Sequence, residues 1–339
     1  MVTEAPAPSP RHTVAVVIPV YQGEQTLRAV VEELAPLFTP RVTTGGHDMV
    51  VAEVLLVHDN GPDDSPQVMR SLAEKFPQVR AVWLTRNFGQ HAATLAGMAS
   101  SGSDWIVTMD EDGQHDPEAI PRMLDTAMHE QAGVVYAKAT NPAPHGLLRN
   151  LASRSAKSAV QRLVPGPDIV SFQSYRLVLG DIGRSVAAYS GAGVYLDIAL
   201  GWVNSRVATC PVELRAEGGR PSGYSSRALA SHFWRLVLSS GTRALRLVSL
   251  LGVSVAVLGV VFAVGAVIGR LLGTIDEPGW TSVMVVMLLG VGTVLFSLGV
   301  IAEYVGVSVN TSMGRPNYLI TGDRSQGPLG RRPIAPPHD

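Results

Sequence analysis

Two apolar stretches, 247–268 and 280–302, constrain this chain most. Each runs for about 20 residues without a charge, the length an α-helix needs to cross the hydrocarbon core of a bilayer. Adjacent uncharged runs of this length are rare in soluble cores, so both are read as membrane spans. The loop between them carries Asp276 and Glu277, whereas Arg227, Arg235, Arg243 and Arg246 precede the first run and Arg315, Arg324, Arg331 and Arg332 follow the second. An excess of arginine on both flanks places both flanks on the cytoplasmic side. The opening stretch 1–13 is Pro-rich and polar and has no apolar h-region, so it does not read as a secretory signal. An even number of spans then returns the C-terminus to the side on which the chain began.

Ahead of these runs, short β-branched segments alternate with helical ones. Strands are expected at 14–20, 53–58, 80–85 and 104–109, with helices at 24–37, 65–76 and 90–100 between them. This alternation argues for an α/β fold with a parallel sheet, whose ligands bind at the carboxyl ends of the strands. The organisation predicted is a disordered tail at 1–12, an α/β domain at 13–221, amphipathic juxtamembrane helices at 222–246, the two spans within 247–303 and a tail at 304–339. The crevice formed by these strand ends is expected to lie wholly before the spans. Lys plus Arg number 27 against 28 Asp plus Glu, so no basic field draws the chain to nucleic acid. Cys210 is the sole cysteine, which excludes an intramolecular disulfide and argues against a cysteine metal site.

The residues just after the strands carry the chemistry. Asp110-Glu111-Asp112-Gly113-Gln114-His115-Asp116-Pro117 follows the fourth strand, and its oxygen donors suit Mg²⁺ or Mn²⁺, which would also bridge a nucleotide diphosphate. Pro19-Val20-Tyr21-Gln22 follows the first strand and His58-Asp59-Asn60-Gly61-Pro62-Asp63-Asp64 the second. Any one of these segments alone reads as a polar turn. Three at consecutive strand ends point to one polar crevice.

In order, Val-Ile-Pro-Val-Tyr, Asp59-Asn60-Gly61-Pro62-Asp63, Arg86-Asn87-Phe88-Gly89-Gln90 and the Asp110 cluster resemble the inverting glycosyltransferases of family 2. The resemblance is closest to the branch acting on polyprenyl phosphates, and it extends to Ile301-Ala302-Glu303-Tyr304-Val305-Gly306 and Gly314-Arg315-Pro316-Asn317-Tyr318. It implies a GT-A (Rossmann-like) nucleotide-sugar-binding domain followed by two transmembrane α-helices, multi-pass in the inner (plasma) membrane with the catalytic domain and both termini cytoplasmic. It implies a UDP- or GDP-sugar donor, a polyprenyl (undecaprenyl) phosphate acceptor and a divalent cofactor. A homo-oligomer is left open.

Residue by residue, the resemblance places Pro19, Tyr21 and Glu24 around the donor base and ribose and Asp59 on the base. Asp110, Asp112 and Gln114 fall on the metal and diphosphate, with Asp112 central to catalysis. Arg149, Arg154 and Arg176 fall on the acceptor phosphate, together with Arg215 or Arg220. Asp197 lies where related enzymes place a catalytic carboxylate, or else acts as a structural carboxylate. Two departures stand out: His58 where many members have Asp, and Glu111 where a small residue is common. A polysaccharide synthase is the alternative enzyme, but the Gln-x-x-Arg-Trp motif and additional spans are absent from the sequence. An inactive membrane-bound scaffold is the non-enzymatic alternative, and the intact Asp110, Asp112 and Gln114 argue against it.

Overall fold

A computed structural model describes residues 10–141, 173–191, 195–203, 206–215, 243–272, 279–314 and 316–328. The described residues fall into two units. One holds the sheet and includes 316–328; the other holds the two long helices.

The sheet begins with strands β1 (His12–Val20), β2 (Arg41–Val42), β3 (Asp48–His58), β4 (Val79–Leu84) and β5 (Trp105–Thr108). Helices α1 (Leu27–Leu34), α2 (Ser65–Lys75) and α3 (Gln90–Ser100) are the crossovers among them. Then follow α4 (Ile120–Glu130), β6 (Val134–Ala139), β7 (Arg176–Leu179), α5 (Gly180–Tyr189), α6 (Leu196–Val203) and β8 (Val207–Val212). The spatial order is β8-β6-β7-β5-β1-β3-β4-β9, with β2 paired to β3; β9 is Ile320–Thr321. The centre, β5-β1-β3-β4, is parallel, while β7 runs antiparallel between β5 and β6.

Side-chain period 2 divides the core. Val14, Val16, Ile18 and Val20 of β1 face a cluster with Leu27, Val31 and Leu34 of α1 and Met123 and Leu124 of α4. Ala15 and Val17 face the other cluster, with Ala93, Leu95 and Ala96 of α3 and Leu196 and Leu200 of α6. A sheet covered on both faces explains why the central strands read as continuous apolar runs. Gly97 lets α3 sit close: a Cβ there would come within 2.3 Å of Val17 Cγ1. The predicted α/β architecture, its first strands and its crossover helices are therefore present.

The second unit contains α7 (Arg243–Leu271) and α8 (Trp280–Ser312). Within α8, Leu289–Val309 is long and apolar enough to cross a membrane, with mean hydropathy 1.7. Among the described residues α7 offers the shorter apolar piece Gly252–Phe262, so one of the two predicted spans meets the length and composition of a crossing helix there. Helix α8 also continues past 303 through Glu303, because nothing in the sequence stops it before Gly314, which takes the left-handed φ of +64°. The α/β unit also extends beyond the predicted 13–221: 316–328 returns to it and β9 closes its β4 edge.

Candidate active site

Three loops meet at the carboxyl ends of β1, β3 and β5. Pro19 can sit in a central strand because β5 pairs only as far as Val17↔Thr108, so no hydrogen bond from residue 19 toward β5 is lost. Beyond it, Tyr21 and Gln22 donate their main-chain N–H groups to the two oxygens of Glu111, each at 3.0 Å. Glu111, one of the two departures from the family pattern, thus ties the first loop to the third. Gly61 ties the second loop to the first, since a Cβ there would lie 1.5 Å from the Tyr21 carbonyl oxygen. Glu24 N–H donates to Asp63 at 3.1 Å, and Asp64 N–H returns a bond to Glu24 at 3.3 Å.

Asp59 is 4% exposed, and its two oxygens accept Phe88 N–H at 2.7 Å and Gly89 N–H at 2.8 Å. Burial pushes its carboxyl up against the pull of these two bonds. In this state Asp59 holds the 86–89 loop, in which the Arg86 guanidinium lies 4.0 Å from the Phe88 ring centroid. Carboxylate lone pairs remain for a base N–H beyond the two main-chain donors.

Asp110 is gripped on both oxygens, by Gln90 Nε2 and by Ser174 Oγ, each at 2.6 Å. Its N–H donates to His115 Nδ1 at 3.0 Å, which fixes the His115 proton on Nε2 when the ring is neutral. Burial lowers the His115 pKa, and the ring stacks on Tyr175 at 4.7 Å. Asp112 Oδ1 accepts the Gln114 N–H at 3.0 Å, a turn made possible by Gly113 at φ +77°. The Gln114 carbonyl in turn accepts Arg215 N–H at 3.0 Å. No group of three His, Cys, Asp or Glu converges among the described residues. The donor set nonetheless fits Mg²⁺ or Mn²⁺, because such ions take one or two carboxylates and complete their shell with substrate phosphates and water.

Arg176 and Asp197 meet in the interior. Each is 3% exposed, and Arg176 Nη1 donates to Asp197 Oδ1 in a buried ion pair. Tyr136 Oη donates to the same carboxylate oxygen at 2.9 Å, and Arg176 Nε donates to Thr108 Oγ1 at 3.0 Å. Burial pushes the Asp197 carboxyl up, opposed by Arg176 and the Tyr136 hydroxyl. Antiparallel pairing of β7 with β5 sets Arg176 opposite Thr108, so the guanidinium points beneath the Asp110 loop. Arg176, expected at the acceptor phosphate, is engaged here in an internal pair. From it, contacts run through Thr108 and Ser174 to Asp110.

Arg215 is engaged by Glu33 and, at 3.1 Å, by Asp116. Arg149, Arg154 and Arg220 lie outside the described residues. The structure brings the loops that carry Pro19, Tyr21, Glu24, Asp59, Asp110, Asp112 and Gln114 together at the carboxyl ends of β1, β3 and β5, with the Arg176–Asp197 pair linked to them through Thr108 and Ser174. Gln90, Glu111, His115 and Ser174 also belong there. The first three stand in the motifs that carry the resemblance, and Ser174 in the Ser174-Tyr175-Arg176-Leu177 segment, but their residue types gave no role.

His58 is 7% exposed, lies edge-on to Trp83 at 5.4 Å, and its Nε2 has no partner among the described residues. Burial lowers its pKa from 6.5; Arg70 and Arg324 push the same way, while Asp63 and Asp323 oppose. A folded pKa below the unfolded one leaves stability intact above 6.5, and stability is lost as pH falls below that value toward the folded pKa. Thermal midpoints should therefore drop between about pH 7 and about pH 5.5, and His58→Phe should flatten that drop. Parallel pH profiles for the two proteins would remove His58 as a source.

The family model for Glycosyl transferase family 2 matches residues 15–181. The chain is 30% identical to the undecaprenyl-phosphate 4-deoxy-4-formamido-L-arabinose transferase of Pseudomonas fluorescens (strain SBW25), over 96% of this chain and 94% of the relative. It is also 30% identical to the transferase of that name from Klebsiella pneumoniae (strain 342), over 92% and 93%. Among solved structures, glucosyl-3-phosphoglycerate synthase from Mycobacterium tuberculosis, in complex with Mn²⁺, UDP-glucose and phosphoglyceric acid, aligns over 68% of this chain and 79% of that one. Its identity is 18% and its TM-score 0.48.

Proposed function

Because the chain belongs to the polyprenyl-phosphate branch of glycosyltransferase family 2, we propose that it transfers a sugar from a nucleotide sugar to undecaprenyl phosphate, with inversion, at the cytoplasmic face of the membrane. The observation that carries this reading is the convergence of three strand ends on one crevice, stitched together by Glu111, Asp59 and Asp110. The nucleoside, of UDP or GDP, lies against Pro19, Tyr21, Glu24 and Asp59, and the diphosphate reaches the 110–114 turn. Asp110, Asp112 and Gln114 would hold Mg²⁺ or Mn²⁺. When bound, the ion supplies Lewis-acid stabilisation to the departing diphosphate.

In the reaction, an acceptor phosphate oxygen attacks the anomeric carbon as the bond from that carbon to the nucleotide diphosphate breaks. A phosphate monoester has a second pKa near 6 and is largely ionised at neutral pH, so no strong base is needed. Asp197 is accordingly assigned to positioning, through Arg176 and Thr108, rather than to proton removal. Arg149, Arg154 and Arg220 are proposed to meet the acceptor phosphate, since guanidinium groups bind phosphate oxygens bidentately.

Chain parity supports the membrane arrangement. Strand β4 precedes both long helices and β9 follows them, yet β4 and β9 are paired, so both stand on one side of any bilayer. Any crossings made by the segment between them are then even in number. Val294, Leu295, Phe296 and Leu298 of α8 are all more than half exposed, a surface suited to lipid. This supports two crossings.

Membrane vesicles test the proposal. Inverted vesicles given labelled UDP- and GDP-sugars should move label from one donor into lipid extract, more so with added undecaprenyl phosphate. Sealed right-side-out vesicles should not. Equal labelling in both orientations would sink the cytoplasmic placement, and no lipid label from any donor would sink the reaction.

A further inference from the structure

We propose that the segment following the second long helix, 317–324, is a positioning strap for the donor-side loop 86–89, with Asp323 and Arg324 as its fastening residues. The inference rests on the reading of the crevice as a nucleotide-sugar site.

Both main-chain groups of Thr85, the residue leading into that loop, are held by the strap. Thr85 N–H donates to the Leu319 carbonyl at 3.1 Å, and the Thr85 carbonyl accepts from the Arg324 guanidinium. The two residues before Thr85 form the β9 ladder, Trp83 with Thr321 and Leu84 with Ile320. The strap is itself secured at two further points. Asp323 takes a two-pronged contact from Arg70, Nε to Oδ2 at 2.6 Å and Nη2 to Oδ1 at 3.0 Å, and also accepts Ser325 N–H and Oγ. These donors hold the Asp323 carboxyl down at about 2, the Arg70 bond contributing most. At the other end Asn317 Nδ2 donates to the Ser190 carbonyl, and Tyr318 packs on the core cluster of α3 and α5.

On its far side the same loop is held by Asp59, through Phe88 and Gly89, and by the Gln90 bond to Asp110. The loop is thus suspended between the strap and the carboxylates of the crevice. A second line of contact runs in parallel: Arg70 lies 5.3 Å over Trp83, and Trp83 meets His58, the neighbour of Asp59. A two-strand edge of only two residue pairs is too short to hold by itself. A bidentate arginine–carboxylate contact with an 8% exposed carboxylate side chain is the kind of contact that can pin it. Donor binding would then depend on residues that follow both long helices in the chain. Every donor-contacting side chain can be present and still be misplaced when the strap is loose.

The full-length protein in lipid nanodiscs, with transfer followed from the nucleotide sugar that labels the wild type, tests this. Asp323→Asn should raise the donor KM about tenfold while leaving the KM for undecaprenyl phosphate within about twofold. Asp323→Glu should retain most of the donor affinity, and the exchanged pair Arg70→Asp with Asp323→Arg should recover part of it. Arg324→Gln, which removes the guanidinium bond to Thr85 and leaves the Arg70–Asp323 contact in place, should shift donor KM in the same direction and serves if Asp323→Asn does not fold. Wild-type protein that transfers normally while Asp323→Asn and Arg324→Gln keep the wild-type donor KM overturns the strap. So does a rise of both KM values together with a loss of thermal stability, which marks a general folding role. Wild-type protein that transfers from no donor overturns the underlying reading instead.

Discussion

Arg176→Ala is expected to lower stability by about 3–5 kcal/mol and to weaken donor and acceptor use together. The cost arises because Asp197, 3% exposed, would keep a buried charge without its guanidinium partner. Asp197→Ala should be similarly damaging, leaving the guanidinium stranded. The paired replacement Arg176→Met with Asp197→Leu removes both charges and preserves volume, so it should recover most of the thermal midpoint lost by either single change. Its activity should recover less, because the Nε bond to Thr108 beneath the Asp110 loop is also gone. Thermal melts of the three variants check this. An Arg176→Ala protein that melts like the wild type and shows only a raised KM for the lipid would return Arg176 to the acceptor phosphate.

Asp112→Asn should cut transfer by about 100- to 1,000-fold with little change in folding, the several kcal/mol a divalent ion supplies to departing charge. Asparagine keeps the side-chain oxygen that accepts the Gln114 N–H at 3.0 Å, so the turn survives while the negative charge is lost. The residue is half-buried in a loop and fills no core position. Chelation with EDTA should reproduce the loss in the wild type, and Mg²⁺ or Mn²⁺ should restore it there but not in the variant. Full activity of Asp112→Asn, or of metal-free wild type, would remove the ion from the mechanism.

Much of this site was legible because the sheet makes it so. Strands such as 14–20 are apolar on both faces, and polar clusters appear only where they end, so Pro19, Asp59 and Asp110 could be placed at one crevice without a structure. Pair contacts were not legible in that way. Glu111 reaches Tyr21 across 90 positions and Gln90 reaches Asp110 across 20, distances over which residue type carries no register. Arg176 shows the reason most clearly. A charged residue in Ser174-Tyr175-Arg176-Leu177 looks like a ligand contact until Asp197, 21 residues later, arrives beneath the sheet to neutralise it. Strand β9 had no signal either, since two residues hold no alternation to read and its position is set by the free edge of β4.

Chemical identification of the product tests the central claim most directly. Purified full-length protein, supplied with its nucleotide sugar, Mg²⁺ and either undecaprenyl phosphate or undecaprenol, should yield by mass spectrometry a lipid carrying one sugar on its phosphate. Undecaprenol should yield none, because the nucleophile is the phosphate oxygen. Sugar attached to undecaprenol, a growing saccharide chain, or free sugar without any lipid product would contradict the account.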